Sequence, residues 1–129
     1  MAKYRVSENW EADWAFAEPM LKEAMAAGPA QYTMDAIKLL LRQENCELWV
    51  GEKSAALMEI DYDTTTFQIW LAGGDLQEII EALPDVEASA RARNFVRVMI
   101  YGRKGWEKVL NKLDYHHKWT VLEKSLWVE

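Results

Sequence analysis

The sequence predicts an α/β fold, in which a central β-sheet is flanked by helices. Three observations predict it. Two stretches with apolar residues at helical spacing open the chain, and three short runs with strand-like alternation follow. Beyond them, further helical stretches flank a nearly continuous apolar run at residues 95 to 101. Helices before, between and after strands are the pattern of a layered α/β domain.

Two helices are predicted at the start of the chain. Over residues 10 to 27 the apolar side chains recur every three or four positions, so they form one stripe that faces the core. Pro19 lacks a backbone donor, which predicts a kink or a break of this helix into two pieces. Thr33 is the expected N-cap of a second helix that runs to about residue 43.

An antiparallel meander of three strands is predicted next. Residues 48 to 51 and 55 to 62 form the arms of a hairpin around a short polar turn, and residues 65 to 72 alternate as a third strand. The pair Gly73-Gly74 ends that strand.

The second half of the chain is predicted to alternate helix and strand. Asp75 is a good N-cap for a short helix, and Pro84 is expected to start a second helix as its first residue. Residues 95 to 101 read as a central strand covered on both faces. An amphipathic helix is predicted from Trp106 to Leu113, and residues 115 to 127 are predicted to close the chain as a strand pair.

Length and composition predict one domain over residues 1 to 129. No apolar run approaches the roughly 18 residues that cross a bilayer, and the first ten residues do not resemble a signal peptide, so we expect a cytoplasmic protein without membrane contact. Cys46 is the sole cysteine and reads as a buried structural thiol. His116 and His117 would point to opposite faces of a strand, and no ligand spacing supports a metal site.

The distribution of charge along the chain indicates which kinds of partner it could bind. The formal net charge of −6 argues against direct nucleic-acid binding, which depends on clustered Lys and Arg. Residues 1 to 82 carry 15 acids and 6 bases, whereas residues 83 to 129 carry 6 acids and 9 bases. The basic part is predicted to be a solvated face; the alternative is a surface that meets an anionic ligand or partner.

A family resemblance is carried by the element order and by particular stretches of sequence. These are LAGGDLQEIIEALPDVEASARARNFVRVMIYGRKGWEKVL, the LDY that follows it, and YTMDAIKLLL followed by ELWV. Together they resemble the GNAT superfamily of N-acetyltransferases, in particular small members encoded by phages and prophages. The resemblance implies that residues 67 to 72 and 95 to 101 are neighbouring parallel strands joined by a right-handed crossover, so that the sheet combines the meander with a parallel pair.

The resemblance also implies an acetyl-CoA site where these two strands splay apart. It assigns cofactor-binding positions to the end of the meander and to the start of the last helix: Leu71, Ala72, Gly73, Gly74, Arg103 and Lys104. In the family the phosphates rest on a helix N-terminus, behind a Gln or Arg and a Gly-x-Gly or Gly-x-Ala turn. This chain has only Gly73-Gly74-Asp75 at that place, and the carboxylate of Asp75 would repel phosphate.

Two residues are candidates for catalysis. Tyr101 ends the strand beside the expected thioester and is either a donor in the cleft or a half-buried strand aromatic. Glu59, with Asp61 on the same strand face, is either a base for an amine or part of an ordinary solvent face. Family members often protonate the departing thiolate with a Tyr; the matching position is Leu110, which cannot transfer a proton.

Two functions remain open at this point. The first is an acyl-CoA-dependent N-acyltransferase with a degenerate acetyl-CoA site, which would bind an acyl-CoA and an amine acceptor. The second is a non-catalytic phage structural protein, of the virion or its assembly, that uses the fold to contact a protein partner. The lost phosphate motif favours the second function, while the strand-to-helix junction at Gly73-Gly74 is compatible with the first.

Overall fold

The computed structural model describes residues 5–27, 32–102 and 104–126. Its elements follow the order β1 (Arg5–Val6), α1 (Trp10–Ala27), α2 (Met34–Arg42), β2 (Cys46–Val50), β3 (Ser54–Asp61), β4 (Thr66–Gly74), α3 (Leu76–Ala92), β5 (Arg97–Ile100) and α4 (Glu107–Asn111), the last preceded by a 3-10 turn at Lys104–Trp106. Within the described ranges, no helix is long and apolar enough to cross a membrane.

The five strands form one mixed sheet in the order β1-β2-β3-β4-β5. Strands β1 to β4 are antiparallel to their neighbours, whereas β5 runs parallel to β4. The predicted meander and the predicted parallel pair are therefore both confirmed. The short strand β1 was not predicted, because two polar-flanked residues carry no periodic signal.

Each face of the sheet carries its own core. On one face, here called the α1–α2 face, helices α1 and α2 cover a cluster centred on Leu21, Ile37 and Leu57. On the other, the α3 face, helix α3 covers a cluster centred on Phe67 and Val86. These side chains are almost completely removed from water, which is the main favourable term in folding.

The predicted break at Pro19 and the predicted restart at Pro84 are both absent. Helix α1 continues through Pro19 as one helix, and α3 continues through Pro84 without restarting. Each proline removes one intrahelical hydrogen bond, but each helix buries an unbroken apolar stripe whose packing outweighs that loss. In α3 that stripe extends from Ile79 to Ala90, and Pro84 lies on the exposed side.

Two strand predictions were also wrong. Strand β5 lies at the edge of the described sheet, and its four side chains are half-buried or exposed rather than covered on both faces. Residues 116 to 126 form no strand, and all of their side chains are exposed. Alternating β-forming residues become a strand only when a neighbouring strand pairs with them, and no described strand does so here. Trp127, the end of the predicted pair, lies outside the described residues.

Candidate active site

Strand β4 contains one extra residue relative to its neighbour β3. The register changes from Leu57 opposite Leu71 to Met58 opposite Ile69, which leaves Trp70 without a counterpart. Ile69 packs in the α3-face core, whereas Trp70 and Leu71 both pack on the α1–α2 face. This is a β-bulge, which reverses the alternation of the strand and reorients its backbone.

A gap opens between β4 and β5 immediately after the bulge. The parallel pairing ends at Ile69 opposite Ile100, and the last hydrogen bond runs from the Tyr101 N–H to the Ile69 carbonyl at 2.9 Å. Strand β4 continues to Gly74, whereas β5 ends at Ile100 and the next element is the 3-10 turn. By the alternation of an antiparallel ladder, the N–H and C=O of Ala72 point away from β3 and toward this gap.

Three aromatic residues border the gap on the α1–α2 face. The ring of Trp70 meets that of Tyr32 edge to face, with the centroids 5.0 Å apart. Tyr101 belongs to the same face, since Val98 and Ile100 pack on the opposite one, and its side chain is 56% exposed. No described helix packs on β5 on this side of the sheet, so this border of the gap is open.

The α3 face of the gap is closed by apolar side chains. Trp106 and Leu110 pack against the α3-face core beside Ile100, and only about 10 Å³ of space remains between them and α3. That volume holds a single water molecule at most. The Trp106 ring also lies close to Gly102, where a β-carbon would come within 2.7 Å of the ring. The gap is therefore open on one face of the sheet and filled on the other.

Gly73 and Gly74 have structural reasons for lacking side chains. A β-carbon on Gly73 would overlap the main-chain carbonyl of Met20 in α1. Gly74 has a φ of +102° and lies against the backbone of Lys53 and Ser54. The two glycines thus allow α1 and the β2–β3 turn to approach β4 closely, which explains their presence without a ligand.

The start of α3 is occupied by carboxylates. Asp75 accepts hydrogen bonds from the N–H groups of Gln77 and Glu78 at 2.9 and 3.3 Å, which confirms it as the N-cap. The carboxylate of Glu78 accepts the Lys53 N–H at 3.0 Å and the hydroxyl of Ser54, which is fully buried. Two N–H groups of the first turn are therefore already engaged, and two negative charges lie there.

The structure separates the two carboxylates considered as bases. Asp61 accepts the N–H groups of Asp63 and Thr64 in the β3–β4 turn, and these hydrogen bonds lower its pKa, which makes it a weaker base. Glu59 is exposed on the α1–α2 face, opposite Gln68 of β4 and Cys46 of β2. Gln68 is the β4 residue just before Ile69, where the pairing with β5 ends, whereas Asp61 lies opposite Thr66 at the other end of β4. Along the sheet, Glu59 is therefore closer to the gap than Asp61.

The remaining sequence candidates are placed as follows. Leu71 has its side chain in the α1–α2 core and pairs with Leu57. Of the four cofactor candidates on β4, Ala72 is the first after the bulge whose main-chain groups point away from β3, and by the same alternation those of Gly74 do so two residues further on. Arg103 and the side chain of Lys104 lie outside the described residues. In the described ranges, no three His, Cys, Asp or Glu side chains converge as a possible metal site.

Solved acetyltransferase structures share this architecture. A predicted acetyltransferase from Clostridium acetobutylicum, solved with acetyl-CoA, matches with a TM-score of 0.68 at 14% identity, over 98% of this chain and 97% of that one. A Trypanosoma brucei acetyltransferase matches with a TM-score of 0.64 at 14% identity, over 95% and 98% of the two chains. Ard1 from Thermoplasma volcanium gives 0.55 at 14% identity, over 87% and 80%. The chain has a GNAT-like fold.

Comparison of sequences alone finds no relative: no protein-family profile and no curated protein matches the chain significantly. The GNAT-like fold is thus recognised from the path of the backbone, which includes the parallel pair β4 and β5 on either side of the gap.

Within this GNAT-like fold, Leu110 lies among the apolar residues that fill the α3 side of the gap. The described tyrosine nearest to it in sequence is Tyr115, whose hydroxyl donates to Glu87 of α3 at 2.7 Å. Burial and this hydrogen bond raise the pKa of Tyr115 above its usual value. The phenol is therefore held in a structural contact with α3.

Sequence reasoning missed the aromatic border of the gap. The alternation predicted over residues 65 to 72 makes Trp70 an ordinary strand residue, and no sequence pattern points to Tyr32. The bulge that turns Trp70 toward Tyr32 leaves no mark in a hydrophobic pattern, since Ile69, Trp70 and Leu71 are all apolar.

Proposed function

We propose that this protein is an acyl-CoA-dependent N-acyltransferase whose nucleotide-binding half is degenerate. The observation that carries the proposal is the gap beside Ala72, where β4 extends beyond β5 and directs main-chain groups at an open space. The likeness to an acetyltransferase solved with acetyl-CoA supports it. The acceptor would be an amine that reaches the gap from the α1–α2 face.

The residues around the gap fit one part of an acyl-CoA better than the other. The pantetheine arm carries amide groups, which can pair with the N–H and C=O of Ala72 as a neighbouring strand would. The phosphates fit poorly at the start of α3, because Asp75 occupies two N–H groups and Glu78 adds a second carboxylate. We therefore expect recognition through the arm and little contribution from the phosphates.

An acyl-CoA, when bound, supplies an acyl group activated as a thioester. Ala72 would hold the arm, and Trp70, Tyr32 and Tyr101 would border the approach of the acceptor. The amine nitrogen attacks the acyl carbon, the C–N bond forms as the C–S bond breaks, and the amine proton ends on the sulfur. Tyr101 or Glu59 could assist that proton transfer; Leu110 could not.

The test is a pair of calorimetric titrations, with acetyl-CoA and with S-acetyl-pantetheine, which lacks the nucleotide. The proposal predicts affinities within about tenfold of each other, since a favourable phosphate site would add at least one factor of ten. Tyr101→Ala should weaken both, whereas Tyr62→Ala, an exposed aromatic at the opposite end of the sheet, should weaken neither.

Two results would contradict this proposal. A hundredfold preference for acetyl-CoA would show that the start of α3 or the residues beyond β5 do bind phosphate. No binding of either compound would remove the acyltransferase function and favour the non-catalytic role in phage assembly. Release of free thiol in the presence of amines, compared with Tyr101→Ala, then reports on turnover. We expect turnover to be slow, because Leu110 leaves the family's usual general-acid position without a proton donor, and loss of a general acid commonly costs about 10²- to 10⁴-fold in rate.

A further inference from the structure

The narrow end of the gap, here called the apex, lies where the pairing of β4 and β5 ends. The Tyr101 N–H donates to the Ile69 carbonyl at 2.9 Å, and Ile69 lies opposite Ile100 in the last pair of the parallel ladder. Both isoleucine side chains pack in the α3-face core. A group that reaches the apex cannot continue between the hydrogen-bonded strands, so it has to turn toward one face of the sheet.

On the α3 face, the space beside the apex is almost full. Trp106 and Leu110 lie beside Ile100, and Ile79 of α3 lines the same space. About 10 Å³ remains among these side chains, and every described residue that lines this space is apolar. One water molecule fits there at most, and a methyl group is larger than a water molecule. The α3 face therefore has no room for a further carbon atom.

The two side chains that fill this space are held in place on both sides. Before them, the Trp106 ring lies so close to Gly102 that a β-carbon there would come within 2.7 Å of it. After them, Tyr115 donates its N–H to the Leu110 carbonyl at 3.1 Å and its hydroxyl to Glu87 of α3 at 2.7 Å. Side chains packed in this way leave little freedom to make room for a ligand.

The course of β4 relates the apex to the acyl group of a donor. The strand runs from Ile69 at the apex, past Ala72, to Gly74 beside the start of α3. A pantetheine arm that pairs with Ala72 and has its thioester next to Tyr101 places the acyl group at the apex. The acceptor uses the open α1–α2 face, so the acyl chain is left with the α3 face. This step rests on the proposed function, because it takes the gap as the donor site.

We propose that Trp106 and Leu110 limit the length of the acyl group, so that the site takes acetyl and rejects butanoyl and longer chains. The methyl group of acetyl rests against the side chains of Ile69 and Ile100. Each further carbon needs the space that Trp106 and Leu110 occupy, and forcing extra carbons into a packed core is unfavourable. Leu110, which cannot transfer a proton, thus has a function in selecting the donor.

The test is calorimetric titration of the full chain with S-acetyl-, S-butanoyl- and S-hexanoyl-pantetheine, which differ in the acyl chain alone and carry no phosphate. For the natural chain we expect a dissociation constant at least about tenfold higher for the butanoyl than for the acetyl compound. Leu110→Ala removes three carbons, and butanoyl adds two to acetyl. Since each buried CH₂ strengthens binding about fourfold, this variant should bind the butanoyl compound up to about tenfold more tightly than the acetyl compound. The hexanoyl compound should still be rejected.

Two further sets of variants separate space at the apex from a loss of core packing. Leu110→Val and Trp106→Phe remove less volume, so they keep the proposal testable if Leu110→Ala does not fold; each should reduce the preference for acetyl at least about threefold. The matched control is Val86→Ala, since Val86 is buried in the same α3-face core but does not line the space beside the apex. This control should keep the preference of the natural chain.

Three results would overturn the inference. If the natural chain binds the butanoyl compound as tightly as the acetyl compound, the filled space does not limit the acyl chain. If the variants at residues 106 and 110 keep the natural preference, or if Val86→Ala changes it as much as they do, these two side chains are not the determinants. In each of these cases the acetyl compound still binds, so the proposed function stands. No binding of any of the three compounds would remove the proposed function together with this inference.

Discussion

Gly73 of β4 lies directly against the main-chain carbonyl of Met20 in α1, so that no β-carbon fits between them. This contact fixes how closely α1 can cover the end of β4 next to the gap. It gives the glycine a packing function at the position where the GNAT-like fold would lead one to expect a phosphate-binding glycine.

Replacing Gly73 with Ala should destabilise the protein by about 2 kcal/mol or more, because the added carbon overlaps backbone atoms that cannot rotate away. Urea denaturation measures the free energy of unfolding. The control is Gly105→Ala, where an added β-carbon meets nothing within 4 Å and the change should be neutral or slightly stabilising. Equal stabilities for the two variants would contradict the packing explanation.

Replacing Asp75 separates capping from charge. Asp75→Asn keeps a capping oxygen, so the unfolding free energy should change by less than about 0.5 kcal/mol, whereas Asp75→Ala should cost about 1 kcal/mol. If the gap binds acyl-CoA, Asp75→Asn should strengthen the binding of acetyl-CoA, since a negative charge near the phosphates is removed, and should leave S-acetyl-pantetheine unaffected. Tight acetyl-CoA binding that does not respond to Asp75→Asn would show that the phosphates are bound elsewhere.

Cys46 should make stability depend on alkaline pH. Burial, with a smaller contribution from the charge of Glu59, raises its pKa from 9.0 to about 12. The folded state then retains the thiol proton that the unfolded state loses, so the unfolding free energy should be undiminished below pH 9 and should fall as the pH rises from 9 to 12. Cys46→Ala should flatten this part of the profile, although it also removes some core packing.

The same thiol should react slowly in the folded protein. Only the thiolate attacks a disulfide reagent, and a rise of the pKa to about 12 lowers the thiolate fraction at pH 8 by about a thousandfold relative to the unfolded chain. Reaction with a chromogenic disulfide, with and without denaturant, measures the ratio. A ratio near one would show that Cys46 is accessible.

The contributions of Arg93 and Glu47 to the free energy of unfolding should be coupled. The guanidinium binds both carboxylate oxygens, at 2.7 and 3.0 Å, and lies over the ring of Phe67. Its pKa is raised by the hydrogen bonds to Glu47. A double-mutant cycle with Arg93→Met and Glu47→Gln should give a coupling of about 1 kcal/mol, at the upper end for partly exposed pairs because the geometry is bidentate. The pair Arg91–Glu87, at 3.9 Å and more exposed, is the comparison and should show less.

The fold was largely predictable from sequence because most of its elements carry strong local signals. The stripe of α1, the cap at Thr33 and the cap at Asp75 were each confirmed by burial or by a hydrogen bond. The predicted break at Pro19 and restart at Pro84 were wrong, because the cost of a missing hydrogen bond can be read from the local sequence whereas the packing that offsets it cannot. The strand pair predicted after Tyr115 was wrong because a strand forms only against a neighbouring strand, and the local sequence does not show whether such a neighbour exists.

The site was less predictable than the fold. A glycine in the sequence can make room either for a phosphate or for a neighbouring backbone, and the residue type does not distinguish the two. At positions 73 and 74 the close approach of Met20 and Lys53 shows that the glycines make room for backbone. The gap exists because the pairing between β4 and β5 ends at Ile69 and Ile100 while β4 continues. The end of this pairing depends on two strands and a turn together and cannot be read from any single residue.

The bulge at Trp70 has a consequence for how relatives of this chain should be compared. Before it, odd-numbered residues of β4 face α3; after it, even-numbered residues do. A homologous strand without the extra residue would keep Ile69 opposite Met58 and Ala72 opposite Ala56. The main-chain groups of Ala72 would still point toward the gap, and only the Trp70 side chain that borders it would be lost. A sequence alignment could place the one-residue deletion at any position of this apolar run, and it would then not show that the bulge residue is the one missing. Whether one or two residues of β4 lie opposite Leu57 is therefore the feature that distinguishes chains that keep the aromatic border of the gap from chains that have lost it.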